Sequence, residues 1–587
     1  MVGRYTGLTV GSSGNPSSDY TASYGFDAYG RLDSVSDGSN TFTYGYLADS
    51  NLIQTMTSPV HTTTYTYEDE RDLRRVVDNA TSGGSLSKYT YQHDKLGRRS
   101  TRVQEGTAFA QATVDIFGYN TRSEVIDSTR FEGVDPGNPG AQITPKAFSY
   151  EYDPIGNRLS SQIGTNPQRD YTTTALNQYS EIHHPSLILH PSFDADGNLT
   201  DSGTGWHYKW DAENRLIKAQ NYQFTPDTGS KRLYFIYDYQ SRRVAKTVEE
   251  WNGATWVETS DHRYLYDGWN LIAKYEFQSS QFTLHSSFLW GLDLSQSIHG
   301  AGGVGGLLNV TEHAGTHQGT YVYTYDANGN VGQVLNSTGA TVAQYEYDPF
   351  GNIINQTGTY ADANTFRFST KYFDVETGLY YYGYRYLDPE TGRWLNRDPI
   401  EEQGGVNLYV FVGNNAIWFI DPDGRFVWNA VSAAAGAIAG AVSGAISGAA
   451  SGSGASAVAG AVVGGIVGAA TGAAVGALGN PVAGAAAGQL AGSYAGSIAG
   501  GAVGGFTGSV AGQVASGMAQ GQSFGQAVGS VDYSAATAAA IGGGAAGALG
   551  TAAVITHGAA ASVQLSLALP QGIIIAAMEL FGGAFGC

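Results

Sequence analysis

The chain has 587 residues, of which 51 are acidic and 31 basic, so its formal net charge is −20. This length is too great for one hydrophobic core and predicts two or more domains. The acidic balance argues against a basic nucleic-acid interface, because negative charge repels phosphate. The single cysteine, Cys587, excludes internal disulfides and cysteine-based zinc sites. The N-terminus lacks the apolar run of a secretory signal, so export is expected by another route or as part of a longer natural protein.

Aromatic residues recur in one local pattern through the first 425 residues, as in YGFDAYGRL from Tyr24 and YEYDPFGNII from Tyr345. Aromatics at alternate positions predict a half-buried strand. The following Asp-x-x-Gly, or a close variant, predicts a turn in which Asp bonds the backbone and Gly supplies a positive φ. A second strand completes a β-hairpin. The turn aspartates are Asp27, Asp94, Asp153, Asp194, Asp211, Asp238, Asp267, Asp326 and Asp348. The run FGYNTRSEVID from Phe117 is interpreted as a degenerate unit.

Repetition of this hairpin predicts a nearly all-β, extended sheet before Arg425 rather than a compact sandwich. The tyrosines are interpreted as cross-strand packing residues, and carbohydrate binding by aromatic rows on an exposed face is the alternative. The histidines His183, His184 and His190 are expected to lie in a loop without an acidic or thiol partner, so no metal site is predicted.

The hairpin units resemble the YD repeat of RHS-family proteins and of the C components of insecticidal toxin complexes, over about residues 20–425. Residues 372–424, from YFDVETGLYYYGYRYLDPETGRW to FIDPDG, resemble the RHS repeat-associated core. This resemblance implies a β-sheet strip that spirals into a hollow shell around a C-terminal cargo. The chain holds fewer repeats than a complete shell of that family. We therefore expect either a partial or open shell, or a shell whose remaining repeats precede Met1 in a longer protein.

Two Asp-Pro steps, Asp398-Pro399 and Asp421-Pro422, lie near the end of this core, with Arg385 upstream. Proline holds the preceding residue extended, so each carboxylate can be fixed in place. Two neighbouring carboxylates share a proton near neutral pH and can act as base and acid, with an arginine to orient one of them. Asp388-Pro389 is a third such step, so a purely structural turn remains the alternative.

The resemblance implies that Asp398 and Asp421 form an aspartyl dyad that cuts the protein's own chain with the help of Arg385. The implied cut lies close to Gly424, Arg425 and Phe426. The family usually has leucine where this chain has Arg425, so slower or shifted cleavage is expected. Lys371, Tyr372 and the run 380–382 are interpreted as packing around this site.

No Lys or Arg follows Arg425, and the last 162 residues hold only Asp532 and Glu579 as acids. From position 436 to position 512 every fourth residue is Gly, except Ser456 and Asn480. Large aliphatic residues lie midway between the glycines, which predicts α-helices with a glycine face opposite an aliphatic face. Silk-like β structure and disorder are the alternatives. Segments 427–451 and 457–478 are long enough to span a bilayer, as in glycine zippers of membrane-inserting proteins.

These observations predict three domains: a YD/RHS repeat shell at 1–345, a repeat-associated core at 346–425, and a Gly/Ala-rich helical domain at 426–587. The predicted protein is a secreted or cell-surface bacterial toxin whose shell encloses and releases a pore-forming segment. Its implied partners are that enclosed segment, a target-cell membrane, a secretion apparatus and an immunity protein, without nucleic acid or cofactor. The tail shows no toxin-enzyme motif. An uncleaved surface protein that binds glycans and a degenerate, inactive RHS end are the alternatives.

Overall fold

Two large antiparallel sheets and one small sheet make up the described part of the chain. This computed structural model describes residues 6–10, 19–278 and 281–425, with two single positions, 513 and 536, in the tail. In every sheet each strand pairs with the strand next to it in sequence, so no connection crosses another strand. The mainly β prediction is confirmed. The helical domain predicted at 426–587 lies outside the described residues.

The first sheet contains sixteen strands. They are β1 (Gly7–Val10), β2 (Tyr20–Phe26), β3 (Leu32–Ser36), β4 (Thr41–Tyr46), β5 (Ile53–Thr57), β6 (Thr62–Glu68), β7 (Arg71–Thr81), β8 (Gly84–His93), β9 (Arg99–Glu105), β10 (Thr113–Tyr119), β11 (Val125–Glu132), β12 (Gln142–Tyr152), β13 (Arg158–Ile163), β14 (Arg169–Thr173), β15 (Tyr179–His184) and β16 (Leu187–Leu189).

The second sheet contains fourteen strands. They are β17 (Ser192–Phe193), β18 (Leu199–Asp201), β19 (His207–Trp210), β20 (Leu216–Gln220), β21 (Lys231–Tyr237), β22 (Arg243–Trp251), β23 (Trp256–Asp267), β24 (Asn270–Gln278), β25 (Gln281–Trp290), β26 (Leu307–Glu312), β27 (Gly319–Tyr325), β28 (Val331–Leu335), β29 (Thr341–Tyr347) and β30 (Ile353–Thr357).

The chain then forms a capping segment, defined here as residues 358–425. Its four-stranded sheet consists of β31 (Tyr372–Asp374), β32 (Leu379–Tyr381), β33 (Tyr386–Asp388) and β34 (Arg393–Trp394). Three 3-10 turns, Phe368–Thr370, Glu401–Gln403 and Val412–Asn414, are the only helical elements between residues 6 and 425 that the structure describes. Among the described residues, no helix combines the length and the hydropathy needed to cross a membrane.

The hairpin turns have the geometry that the repeat predicts. In the first of them, Asp27 Oδ1 accepts the backbone N–H groups of Tyr29 and Arg31, each at 2.9 Å. Asp27 Oδ2 accepts Arg31 Nε at 2.7 Å, and Gly30 has a φ of 86°. Such a side-chain bond replaces a backbone bond that a strand end would leave unpaired. The other turns in which Asp accepts the backbone N–H four residues later begin at Asp94, Asp153, Asp194, Asp211, Asp238, Asp326 and Asp348.

Two turns of this chain depart from the Asp-x-x-Gly sequence and show which residues the turn geometry needs. The degenerate unit near Phe117 forms the same turn, with Asn120 in place of Asp and a φ of 66° at Ser123. The predicted turn at Asp267 is different, because Asp267 pairs directly with Asn270 across a two-residue connection. The sequence DGWN there brings the glycine forward by two positions, so the longer Asp-x-x-Gly turn does not form.

Many repeat tyrosines connect one hairpin to the next by their hydroxyl groups. Tyr46 donates to the carbonyl oxygen of Leu32 at 2.6 Å, and Tyr67 donates to that of Ile53 at 2.8 Å. Bonds of the same kind are made by Tyr119, Tyr237, Tyr266, Tyr325 and Tyr347. Each bond satisfies a carbonyl at the start of the previous hairpin's second strand. These contacts agree with the packing interpretation of the tyrosines.

The inner faces of the two large sheets share one hydrophobic cluster. It joins Val35 and Phe42 of the first sheet to Leu233, Val310 and Val334 of the second, all at most 1% exposed. Polar bonds cross the same interface, including one of 3.0 Å from the Leu292 backbone N–H to the hydroxyl of Tyr44 and one of 3.1 Å from Asn79 Nδ2 to the Tyr325 carbonyl. Burial of apolar surface between the sheets is therefore the main force that holds them together.

The capping segment lies across the ends of the hairpins and bonds to turns of both sheets. Its donors are mostly amide, hydroxyl and guanidinium groups, and their acceptors are backbone oxygens of the turns. The turn acceptors are Ser123, Gly156 and Asn177 in the first sheet and Gly197, Asn214, Gly329 and Gly351 in the second. One end of the paired sheets is thus covered, and the capping segment is held by residues from most of the repeat body.

Candidate autoproteolytic site

The structure brings Arg385, Asp398 and Asp421 together inside the capping segment. Arg385 immediately precedes β33, Asp398 lies between β34 and a 3-10 turn, and Asp421 begins the last described turn. Arg385 Nη2 is 2.8 Å from Asp398 Oδ2 and 3.7 Å from Asp421 Oδ2. All three side chains are at most 6% exposed. The Arg385 guanidinium also lies 4.3 Å from the ring centre of Trp394, which holds it in one plane.

Asp421 organises the turn that follows it. Its Oδ1 accepts the backbone N–H groups of Asp423 at 3.1 Å, Gly424 at 2.7 Å and Arg425 at 3.2 Å. Gly424 has a φ of 89°, and a Cβ there would lie 3.0 Å from the backbone nitrogen of Arg385. Glycine is therefore required at this position both for its conformation and for the close approach of Arg385.

The carbonyl group of Gly424 points at the same arginine. Arg385 Nε donates a short hydrogen bond to the Gly424 oxygen, while Nη1 donates to the Leu408 oxygen at 3.3 Å. A cation that donates to a carbonyl oxygen withdraws electrons from the carbonyl carbon and stabilises negative charge on the oxygen. Of the predicted cleavage residues, Gly424 and Arg425 are thus beside the two carboxylates, and Phe426 lies outside the described residues.

Burial changes the acidity of each group in the site. Burial, and then the negative charge of Asp423, raise the pKa of Asp421 to about 7, although the Arg385 cation opposes the rise. Burial also raises the pKa of Asp398, against the effect of Arg385. Burial lowers the pKa of Arg385, and the two carboxylates oppose that change. One carboxyl group therefore retains a proton close to neutral pH.

Lys371, interpreted from the sequence as a packing residue, makes specific contacts beside the dyad. Its Nζ donates to the Pro422 oxygen at 2.5 Å and to the Gly302 oxygen at 2.9 Å, and burial lowers its pKa to about 8. The lysine thus fixes the Asp421-Pro422 step against the second sheet. Tyr372, Tyr380 and Tyr382 are buried in hydrophobic clusters, as predicted.

The histidines set aside in the sequence lie elsewhere. His183 and His184 are on β15 rather than in a loop, and His183 Nε2 lies 2.9 Å from Glu181. His190 Nδ1 is 3.9 Å from the same glutamate, so the expectation of no acidic partner was wrong. Within the residues that the structure describes, no three His, Cys, Asp or Glu side chains converge as metal ligands do.

Comparison with known proteins identifies the family. The sequence model of the Teneurin YD-shell family matches residues 307–417, which include the end of the second sheet and most of the capping segment. The crystal structure of TcdB2-TccC3 superposes with a TM-score of 0.53 at 21% identity, over 69% of this chain and 22% of that one, which shows a shared fold. These matches support an RHS/YD-repeat protein.

Sequence relatives of this YD-repeat protein include named toxins. The tRNA3(Ser)-specific nuclease WapA of Bacillus spizizenii is 26% identical over 418 residues, 69% of this chain and 16% of WapA. Toxin subunit YenC1 of Yersinia entomophaga is 28% identical over 407 residues, 62% of this chain and 40% of YenC1. This chain therefore spans less than half of each relative, and the activities in their names describe those larger proteins.

Proposed function

We propose that this YD-repeat protein is the carrier part of a polymorphic toxin and that it cuts its own chain between Gly424 and Arg425. The observation that carries the proposal is the position of Arg385, which contacts both carboxylates and the Gly424 carbonyl oxygen. A turn with only a structural role would need no more than the hydrogen bonds that Asp421 Oδ1 accepts from the backbone. Placing a buried cation and a second carboxylate at one carbonyl costs stability, and this cost is typical of functional sites.

In the proposed reaction, water adds to the Gly424 carbonyl carbon. Asp398, ionised beside Arg385, takes one proton from the water, while the hydroxyl forms the new C–O bond. Arg385 Nε stabilises the negative charge on the carbonyl oxygen. Asp421 accepts the Arg425 N–H at Oδ1, at 3.2 Å, so its own proton is on Oδ2. As the C–N bond breaks, the Asp421 carboxyl gives this proton to the Arg425 nitrogen. The products are a carboxylic acid group at Gly424, which returns its proton to Asp421, and an amino group at Arg425.

The carrier role is supported by the placement of the capping segment. It covers one end of the paired sheets, and its last residue, Arg425, lies at the proposed cut. The relatives of this chain include a nuclease and a toxin subunit. We therefore propose three units with boundaries at 345 and 425: a repeat wall, a repeat-associated core that contains the cleavage site, and a cargo released by the cut. A secreted or cell-surface location and a delivery apparatus belong to the same proposal.

The cargo proposed for this chain differs in chemistry from a nuclease. Residues 426–587 contain no Lys or Arg and carry the regular glycine spacing described above. Without cations they offer no basic surface for binding phosphate. Their apolar segments instead match the length of a bilayer core. We propose that the released segment inserts into a target-cell membrane and permeabilises it.

The test is expression of the full chain, followed by intact mass measurement and N-terminal sequencing of the fragments. The wild type is expected to yield residues 1–424 and 425–587. Asp421→Asn is expected to remain one chain, because the amide oxygen still accepts the turn N–H groups but the side chain no longer supplies the proton. Asp388→Asn is the matched control, since Asp388 also precedes a proline and has a pKa raised by burial to about 6, but lies outside the dyad.

Three results would contradict parts of the proposal. An intact wild-type chain would remove self-cleavage and favour an uncleaved surface protein. A new terminus at Phe426 would place the cut one residue later than the geometry of Gly424 indicates. Absence of dye leakage from zwitterionic and anionic phospholipid vesicles treated with the purified released fragment would remove the membrane-permeabilising role and leave the carrier intact.

A further inference from the structure

The side chain of Arg425 lies between the carboxylate of Asp423 and the ring of Tyr384, beside the proposed cut. Its Nη2 and Nε lie 2.6 Å and 3.1 Å from Asp423 Oδ2. Its guanidinium carbon is 4.0 Å from the ring centre of Tyr384. An arginine that pairs with a carboxylate and lies over an aromatic ring uses both its charge and its flat face. Lysine or an apolar residue would satisfy only one of these contacts, or neither.

Tyr384 is held in place by contacts that do not involve Arg425. Its ring lies 4.9 Å from the ring of Trp269, in the two-residue connection between β23 and β24. Its backbone N–H donates to the Asp423 oxygen at 3.0 Å. Gly383 precedes it with a φ of 109°, and a Cβ there would lie 2.9 Å from the Trp269 ring. Tyr384 of the capping segment is therefore positioned by Trp269 of the repeat body and by the Asp423 backbone, and these contacts do not involve the side chain at position 425.

Asp423 is the residue that favours a positively charged side chain at position 425. Its side chain is 12% exposed, and its Oδ1 is buried without a hydrogen-bond partner among the described residues. A buried carboxylate without a cation is costly. The same negative charge acts on Asp421. Neutralisation of Asp423 by Arg425 therefore influences both the fit of the cleaved segment and the protonation of the dyad.

We propose that Asp423, Tyr384 and Trp269 form a subsite that selects arginine at position 425 for self-cleavage. This inference rests on the proposed cleavage and adds a sequence requirement to it. The subsite makes arginine the preferred residue beside the cut, which reverses the expectation from the sequence that Arg425 slows or shifts cleavage. It also predicts that cleavage weakens with added salt, because the exposed edge of the ion pair is screened.

The experiment follows conversion of full-length precursor to fragments in cell-free synthesis, after translation is stopped. Arg425→Met keeps an unbranched, flexible side chain but removes its charge, and it is expected to slow cleavage about tenfold, the order expected for loss of charge-assisted hydrogen bonding. Arg425→Lys is expected to give an intermediate rate. In an Asp423→Asn background, Arg425→Met is expected to change the rate much less. Arg31→Met is the matched control, because Arg31 bonds Asp27 and lies 4.2 Å from the Tyr46 ring, away from the site.

The outcomes separate this inference from the cleavage itself. If the wild type is not cut, the proposed function fails and the subsite fails with it. If the wild type is cut and Arg425→Met is cut at the same rate, only the subsite is overturned. If Arg425→Met slows cleavage equally in the wild-type and Asp423→Asn backgrounds, selection by Asp423 is overturned.

A stability measurement distinguishes selection at the cut from a general loss of folding. Arg425→Met is placed in the uncleaved Asp421→Asn chain, and thermal unfolding is compared with that of the Asp421→Asn parent. The two melting temperatures are expected to agree within about 4 °C, because Arg425 is 28% exposed and partly exposed ion pairs contribute little to stability. A much larger loss would show that Arg425 acts on the fold of the capping segment rather than on the choice of the cleaved residue.

Discussion

The repeat hairpins and the capping segment are stabilised in opposite ways. A repeat turn is closed by residues four positions apart, as Asp238 and Arg242 are, and the same local contacts recur along both sheets. The capping segment is held by distant partners, and Asn415 reaches Ser123, 292 residues earlier in the chain. Loss of one repeat contact leaves its neighbours in place. Loss of one capping contact affects a segment that has little regular secondary structure of its own.

The two regions also differ in how most of their ion pairs are buried. Many pairs of the repeats are partly exposed, as in Lys88–Glu105, where both side chains are 36% exposed, although Arg130 and Asp115 in the first sheet form a buried pair. In the capping segment, Asp374 accepts Arg243 Nη1 at 2.6 Å and Lys246 Nζ at 2.7 Å, with Asp374 and Arg243 each 1% exposed. Exposed pairs contribute little to stability, whereas a buried charge depends on its partner. A single change to a buried charge such as Asp374 should therefore have a large effect.

The largest effect is expected for Asp374→Asn. This change leaves the buried Arg243 without its carboxylate and Lys246 with Glu376 alone. The free energy of unfolding should fall by about 3–5 kcal/mol, as when one partner of a buried pair is removed. Denaturant unfolding, monitored by tryptophan fluorescence, measures this change in the free energy of unfolding.

The control for that prediction is Glu105→Gln, which removes the exposed partner of Lys88 in the repeats. Its expected cost is below about 1 kcal/mol. Equal losses for the two variants would show that burial does not determine the cost of removing one partner of an ion pair.

A slightly smaller effect, of opposite sign, is expected for Asp421→Asn in an uncleaved Asp398→Asn chain. The folded-state pKa of Asp421, about 7, lies above its ordinary value of 3.8. Between these two values the folded protein binds the proton more tightly than the unfolded chain, so ionisation lowers stability as pH rises from about 4 to about 7. Removing the ionisable group should stabilise the chain at pH 8 by on the order of 3–4 kcal/mol relative to its effect at pH 4.

Denaturant midpoints of the two chains across this pH range provide the measurement. Parallel pH profiles for the single and double variants would show that Asp421 does not carry the raised pKa. In the cleaving wild type, the proposed acid role of Asp421 also requires the rate to fall as pH rises above about 7.

Sequence reasoning succeeded where the determining contacts are local. The Asp-x-x-Gly turn and the alternating aromatics act within one hairpin, so each unit could be predicted from its own residues. Asp398, Asp421 and Arg385 were selected by resemblance to the RHS core, since spacing alone left a structural turn open. Lys371 was interpreted only as a packing residue and Tyr384 was not singled out, because their partners Gly302 and Trp269 come from distant repeats. Nothing in a local pattern predicts such contacts.

The smallest difference is expected between two glycines in equivalent turns. Gly97 and Gly351 both end an Asp-x-x-Gly turn, with φ values of 81° and 98°. A Cβ on Gly97 would make only ordinary contacts at 3.8 Å, so Gly97→Ala should cost about 1–2 kcal/mol, from backbone strain alone. A Cβ on Gly351 would lie 2.7 Å from the ring of Phe368 in the capping segment, and Gly351→Ala should cost about 1–3 kcal/mol more. Chemical denaturation of both variants measures the two losses of stability. Equal losses would contradict the prediction, because they would mean that the ring of Phe368 moves aside for a new methyl group without loss of packing.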